Sequence, residues 1–117
     1  KCIICEVDIN HPFVMTELMM PILSIVRVKD IDEAIEFAKI AEQHKRHSAY
    51  IYSKNIDNLD RFETEIDTTI FVKNAKSFAG VGSGAEGFTT FTIAGPTGEG
   101  ITSARDFTRQ RRCVLVS

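Results

Sequence analysis

Hydrophobic and polar residues alternate with two different periods between positions 21 and 73. The segment Ile22–Val28 is rich in aliphatic and β-branched residues, which is typical of a strand. Apolar residues then recur every three or four positions, the spacing of one helix face, at Ile31, Ala34, Ile35, Ala38 and Ala41. Asp30 and Glu33 form a capping-box pattern at the start of this helix. We expect the helix to end near residues 44–47, because their cations suit the carbonyl end of its dipole.

The same alternation of strand and helix repeats once. Ser48–Ser53 is predicted to be a strand, and Thr68–Val72 a third one. Between them Asn55 can cap a second helix, whose apolar face consists of Ile56, Leu59, Phe62 and Ile66. Strands that alternate with helices through short connections pair in parallel by right-handed crossovers. The predicted fold class is therefore α/β, built on a parallel β-α-β-α-β unit.

The ends of the chain depart from this unit. The apolar run Cys2–Val7 is typical of a buried strand that begins at once, so we expect the chain to be a piece of a longer polypeptide. Residues 74–110 contain all seven glycines and no sustained helical stripe, which favours a binding loop. Arg112–Val116 is predicted to be a terminal strand that needs a partner edge for its backbone groups. The predicted organisation is one domain over 1–117, with a core in 1–73, a Gly-rich segment in 74–110 and a terminal strand in 111–117.

Composition and charge narrow the class of protein. The formal net charge is −2, which argues against a nucleic-acid footprint, and no stretch approaches the roughly 20 apolar residues of a membrane helix. Three cysteines cannot all pair within the chain, and no basic segment followed by an apolar one stands at the start. We therefore expect a soluble, cytoplasmic protein that binds neither nucleic acid nor membrane.

The segment GSGAEG, residues 82–87, matches the G-x-G-x-x-G pattern of a dinucleotide-binding turn. That turn works only where a strand runs directly into it and a helix opens directly from it. Residues 74–81 lie between the preceding strand and Gly82, and Phe88–Ile93 is β-branched and aromatic. We interpret these glycines as flexible backbone rather than as a nucleotide turn.

The other candidate motifs also have plainer interpretations. Cys2 and Cys5 would point to opposite faces of a strand, so we expect buried cysteines and no metal site. Cys113 lies among aliphatic residues, which raise the pKa of a thiol, so a structural role is favoured. The arginines near the end and the three histidines are interpreted as surface or capping residues.

One carboxylate is harder to dismiss. Glu17 lies in Thr16–Pro21, an otherwise apolar stretch just before the first patterned strand. A carboxylate in such surroundings needs a cation, backbone donors or a ligand's hydroxyl groups. The residues alone favour a structural partner somewhat over a ligand and leave both open.

Long collinear segments of the chain resemble the NAD-dependent aldehyde dehydrogenase superfamily. The resemblance begins at Glu17–Leu23 and continues through Ile25–Asp30 into Asp32–Ile35. His11–Val14, Thr90–Gly100, Thr102–Arg105 and Arg111–Val116 are similar to the CoA-acylating branch, which includes the propionaldehyde and acetaldehyde dehydrogenases. The resemblance covers nearly the whole chain and implies the C-terminal part of a catalytic domain, with the NAD-binding domain and the nucleophilic cysteine outside it.

The resemblance also implies roles for individual residues. Glu17 matches the glutamate that binds the nicotinamide ribose, and Met19 stands where most of the superfamily has an aromatic residue beside the nicotinamide. Residues 74–92 match the wall of the aldehyde pocket, so Phe78, Thr90 and Phe91 are expected to line it. No site residue that performs the chemistry and no metal ligand is expected in this chain.

The expected activity follows from the same resemblance. The parent enzyme would convert an aldehyde, CoA and NAD to acyl-CoA and NADH through a thioacyl cysteine, and the chain alone would be inactive. The expected partners are a small aldehyde, coenzyme A and further copies of the protein in a dimer or tetramer. The expected location is the cytoplasm, including the interior of a bacterial microcompartment. The alternative is a non-catalytic α/β binding or assembly module.

Overall fold

The computed structural model describes residues 1–84, 93–94, 100–101 and 103–116. Short strands alternate with helices along the first of these ranges, so the predicted α/β fold class is confirmed. The strands and α-helices are β1 (Ile3–Glu6), α1 (Pro12–Met15), β2 (Ile22–Ile25), α2 (Ile31–Glu42), β3 (Ser48–Ile51), α3 (Ile56–Ile66), β4 (Ile70–Lys73), β5 (Ile93–Ala94) and β6 (Gly100–Ile101). Two 3₁₀ helices cover Ser77–Val81 and Ala104–Phe107.

The parallel strands form two separate pairs. β1 pairs with β2, with Ile3 opposite Ile22, and β3 pairs with β4, with Ser48 opposite Ile70. No ladder joins β2 to β3 within the described ranges, so the expectation of one continuous sheet through all three patterned strands needs correction. A periodic pattern shows that a segment is a strand but not which strand lies beside it, and α2 carries the chain from one pair to the other.

The helices begin at the predicted caps. The Asp30 carboxylate accepts a hydrogen bond from the Glu33 backbone N–H at 2.9 Å, while the Glu33 carboxylate accepts one from the Lys29 N–H at 2.7 Å. Asn55 Oδ1 accepts bonds from the N–H groups of Asp57 and Asn58 at 2.9 and 3.3 Å. These side chains satisfy donors that the first turn of a helix leaves free.

The core lies between the two long helices and one face of the β3–β4 pair. Its buried members are Ile35, Ala49, Phe62 and Ile66. The rings of Phe62 and Phe71 meet edge to face with centroids 5.5 Å apart, a favourable arrangement for aromatic pairs. The 3₁₀ helix Ser77–Val81 covers the opposite face of β4. Gly80 permits this approach, because a Cβ there would lie 2.9 Å from Val72 Cγ2 and closer still to Ile70 Cγ2.

Two predicted strands differ from expectation in burial or pairing. β1 is formed, but Ile3 and Ile4 are exposed rather than buried. Residues 111–116 form no strand with any part of the described chain, and Leu115 is 93% exposed. A terminal segment forms a strand only where a partner edge bonds to its backbone groups, and the apolar face of a sheet is buried only where another layer packs on it. None of the described helices is long and apolar enough to cross a membrane.

Candidate functional site

Glu17 lies in the linker between α1 and β2. His11 caps α1, since its Nδ1 accepts a hydrogen bond from the Phe13 N–H at 3.1 Å, and Pro12 occupies the first helical position. The helix stops after one turn at Thr16, whose N–H bonds to the Pro12 carbonyl at 2.9 Å. The chain then runs without regular structure until β2 begins at Ile22. Glu17 is therefore presented on a short connection between two fixed elements.

The carboxylate of Glu17 has no partner within the described residues. Its side chain is exposed, and neither a hydrogen bond nor an ion pair to it is found there. Several charged side chains elsewhere in the described chain are paired, as Arg27 is with Glu6 at 2.8 Å. A carboxylate offers two acceptor oxygens and no donor. Of the two sequence interpretations, the structural partner is not found among the described residues, which leave the two oxygens available to hydroxyl groups from outside.

An open depression of about 220 Å³ lies beside Glu17, between its linker and the C-terminal end of α2. Its opposite wall is the turn from α2 into β3, which contributes Gln43, Lys45 and His47. The two walls are joined by a hydrogen bond from Gln43 Nε2 to the Met15 carbonyl, at 2.6 Å. This bond ties the two walls together, and side chains of both charges surround the depression.

Sequence reasoning missed the turn at residues 43–47 as part of the site. Its cations were interpreted only as complements to the helix dipole, which does not require them to face a ligand. Three residues of the turn have left-handed backbone conformations, namely Gln43, His44 and Arg46, with φ of 56°, 59° and 55°. Such conformations cost on the order of 1–3 kcal/mol each and cluster where function requires them. No local sequence signal announces them, because all three positions lack the glycine or asparagine that would mark such a turn.

The other predicted site residues lie in three places. Met19 is two residues after Glu17 and is 89% exposed. Phe78 is exposed and lies in the 3₁₀ helix that packs on β4, in the other half of the chain. Thr90 and Phe91 lie outside the described residues. The structure thus places Glu17 and Met19 on one linker and does not join them to Phe78.

The structure shows the surroundings of the glycine and cysteine motifs. A 3₁₀ helix, not a strand, runs into Gly82, so the structure lacks the entry that a dinucleotide turn requires. Gly82 and Gly84 have φ of 86° and 79°, which explains the glycines, and residues 85–87 lie outside the described ranges. All three cysteines are free. Cys2 is exposed and Cys5 only partly buried, which corrects the burial expected of these two, and Cys113 is also exposed. The described residues hold no group of three or more potential metal ligands.

Comparison with known proteins places the chain in a family. Residues 2–102 match the sequence model of the aldehyde dehydrogenase family. The acetylating acetaldehyde dehydrogenase EutE of Salmonella typhimurium is 53% identical over 116 residues, which are 99% of this chain and 25% of that protein. The CoA-propanoylating propanal dehydrogenase of the same organism is 48% identical over the full chain and 25% of its own length. The chain spans about a quarter of the length of these relatives.

Solved structures agree with the sequence comparison. The propionaldehyde dehydrogenase of Rhodopseudomonas palustris, solved with bound CoA and an acylated cysteine, matches with a TM-score of 0.88 and 54% identity, over 98% of this chain and 26% of that one. A propionaldehyde dehydrogenase from the fucose utilisation bacterial microcompartment of Clostridium phytofermentans matches with a TM-score of 0.88 and 56% identity, over 98% and 26%. The chain belongs to the aldehyde dehydrogenase family, where it is homologous to about a quarter of the CoA-acylating acetaldehyde and propionaldehyde dehydrogenases.

Proposed function

We propose that the chain is part of an enzyme that converts an aldehyde, CoA and NAD to acyl-CoA and NADH, and that Glu17 binds the nicotinamide ribose of NAD. The observation that carries the proposal is the exposed carboxylate of Glu17, which lies beside the depression described above and has no partner in the described part of the chain. It occurs in a chain that is about half identical to acylating aldehyde dehydrogenases over nearly its whole length.

Glu17 fits the ribose on chemical grounds. The two ribose hydroxyls are neighbouring donors, and an ionised carboxylate accepts from both with bonds that are stronger than neutral ones. No cation of the described chain forms an ion pair with the carboxylate. When bound, NAD accepts the hydride that leaves the aldehyde carbon. The role of Glu17 is to fix the orientation of the coenzyme, and a misplacement of about 1 Å can cost roughly 100-fold in rate.

The remaining site residues have supporting roles in this proposal. The exposed Met19 side chain flanks the nicotinamide beside Glu17. Phe78 lines the aldehyde pocket, and so do Thr90 and Phe91. The acylated cysteine belongs to polypeptide outside residues 1–117, so the chain alone is inactive. The exposed segment 111–116 pairs with a strand edge of a second copy in a dimer or tetramer.

The proposed cellular location of the enzyme is based on its relatives. The enzyme works in the cytoplasm, and the Clostridium phytofermentans relative supports a place inside a bacterial microcompartment. Enclosure would keep the small aldehyde close to the enzyme.

The test uses the intact polypeptide that contains residues 1–117. We expect NADH formation that requires both propionaldehyde or acetaldehyde and CoA, and none from the 117-residue chain alone. Glu17→Ala should lower kcat/KM for NAD at least about 10-fold, because charge-assisted hydrogen bonds contribute about 1.5–3 kcal/mol each. Glu36→Ala is the matched control, since Glu36 is also exposed and unpaired within the described chain but lies on α2.

Two results would contradict the proposal. Unchanged kinetics with NAD in Glu17→Ala would remove this residue from the coenzyme site. An intact polypeptide that binds partner proteins but forms no CoA-dependent NADH would favour the non-catalytic module instead.

A further inference from the structure

Gln43 connects two parts of the chain that are distant in sequence. It lies at the C-cap of α2, and its side-chain amide donates to the backbone carbonyl of Met15, with Nε2 and O 2.6 Å apart. Met15 is the last residue of α1 and stands two positions before Glu17. The bond therefore reaches from the end of one helix to the start of the linker that carries the proposed ribose ligand.

The other hydrogen bonds to this part of the chain come from α1, β1 and β2 and not from α2. Thr16 bonds to Pro12 within α1, Ile22 bonds to Met20 at the end of the linker, and the Ile3 N–H of β1 bonds to the Pro21 carbonyl at 2.8 Å. Ser24 Oγ donates to the Phe13 carbonyl at 2.8 Å and ties α1 to β2. In the described part of the chain, the Gln43 amide is the only group that hydrogen-bonds α1 or its linker to α2.

The backbone conformation at position 43 does not favour a glutamine there. Its φ is 56° and ψ 29°, the left-handed conformation in which helices commonly end and which glycine adopts without cost. A residue with a Cβ pays about 1–2 kcal/mol in this conformation. The position suits glycine, so the backbone favours no glutamine, whereas the glutamine side chain makes the bond to Met15.

We propose that Gln43 is a positioning residue for Glu17. Its amide holds the start of the linker against the C-terminal end of α2, so that the Glu17 carboxylate faces the depression in one orientation. This inference rests on the proposed function, since it assigns the held carboxylate to the ribose of NAD. It adds a residue that touches neither the coenzyme nor the aldehyde.

The test variant is Gln43→Gly in the intact polypeptide. It removes the amide and at the same time relieves the left-handed backbone, so we expect an unchanged or higher melting temperature. The dissociation constant for NAD, measured by calorimetric titration, should rise about 5-fold, the equivalent of one neutral hydrogen bond. The KM values for the aldehyde and for CoA should not change. Gln43→Asn keeps an amide and tolerates this backbone but is one methylene shorter, and it should behave like Gln43→Gly.

His44→Gly is the matched control. His44 has nearly the same left-handed backbone, with φ of 59°, but makes no bond to the linker. We expect this variant to gain stability and to bind NAD as the wild type does. Hydrogen exchange at the amides of residues 16–20 should accelerate in Gln43→Gly and not in His44→Gly.

The outcomes separate this inference from the proposed function. If the wild type binds NAD and the Gln43→Gly and His44→Gly variants bind it equally well, the positioning role is wrong and the proposed function stands. If Gln43→Gly lowers stability and raises every KM together, Gln43 is merely structural and the inference is again wrong. If the wild type neither binds NAD nor forms NADH, the proposed function fails and takes this inference with it.

Discussion

Replacement of Gly80 by alanine should push the 3₁₀ helix Ser77–Val81 away from β4. The new Cβ would lie 2.9 Å from Val72 Cγ2, whereas carbon atoms in contact normally lie about 3.5–4.0 Å apart. The helix backbone would have to retreat by roughly 1 Å to restore this separation. Phe78 lies on the same helix and would move with it.

The neighbours of Gly80 cannot yield instead. Ile70 is 4% exposed and Val72 is 6% exposed, and both are β-branched residues in a strand with few alternative rotamers. Overpacking of this kind costs about 1–3 kcal/mol. We therefore expect Gly80→Ala to lower the free energy of unfolding by about 1–3 kcal/mol and to raise KM for the aldehyde through the displaced Phe78.

The assay is a double-mutant cycle in the intact polypeptide, with unfolding followed in urea. Ile70→Ala removes Cγ2, so Gly80→Ala should cost at least about 1 kcal/mol less in that background. Gly84→Ala is the control, because no atom of the described residues lies within 4 Å of its Cβ position and its φ of 79° accounts for the expected cost. That cost should be the same with Ile70 or Ala at position 70. If Gly80→Ala costs equally much in both backgrounds, the close approach to β4 is not what requires glycine.

The remaining predictions concern the two long helices. Asn55→Ala should lower the free energy of unfolding by about 1 kcal/mol, because α3 loses its cap, whereas Asn55→Asp should retain most of the stabilisation by the cap. The midpoints of urea unfolding would show the difference. Hydrogen bonds from Arg61 and then Lys39 hold the pKa of Glu65 below its ordinary value of 4.5. The carboxylate of Glu65 binds a proton more readily in the unfolded chain than in the folded one. Its hydrogen bonds to Arg61 and Lys39 therefore stabilise the fold at pH values above 4.5, and this stabilisation is lost as the pH falls through the lowered pKa. Glu65→Gln should therefore be less stable than wild type at neutral pH and equal to it in strong acid, and a constant difference across this range would contradict the assignment.

The helices could be predicted from sequence because their signals are local. The apolar stripe of α3 ends at Ile66, and its cap Asn55 bonds to the first turn as expected. The start of α2 at Ile31 was predicted equally well, but its end at Glu42 comes earlier than the cations at 44–47 suggested. A left-handed Gln43 ends the helix, and its side chain bonds a residue 28 positions away. A contact between residues so far apart in sequence does not change the spacing of apolar positions from which a helix is predicted.

The candidate site was predictable to the extent that the family resemblance carried it. Glu17 was conspicuous as a carboxylate in an apolar stretch, and the structure adds that the described chain supplies no partner for it. The resemblance did not indicate the turn that faces it, because the wall is made by residues about 26 positions later that approach only in the folded chain. The pairing of the strands was not predicted for the same reason, because which strand lies beside which depends on the path of α2 and not on the amino-acid composition of the strands.

Asn74 decides where the Gly-rich region starts. Its side-chain amide accepts from the N–H of Ser53 and donates to the carbonyl of Ser53, both at 2.8 Å, so it continues the β3–β4 ladder with a side chain after the strands themselves have ended. Its own backbone is left-handed, with φ of 53°, and Tyr52 pins the next carbonyl, that of Ala75, at 2.6 Å. These bonds therefore set the direction in which the chain leaves the sheet. Loss of this one amide would remove both bonds to Ser53 and leave the Tyr52 hydroxyl and the packing on β4 to position the segment that carries Phe78.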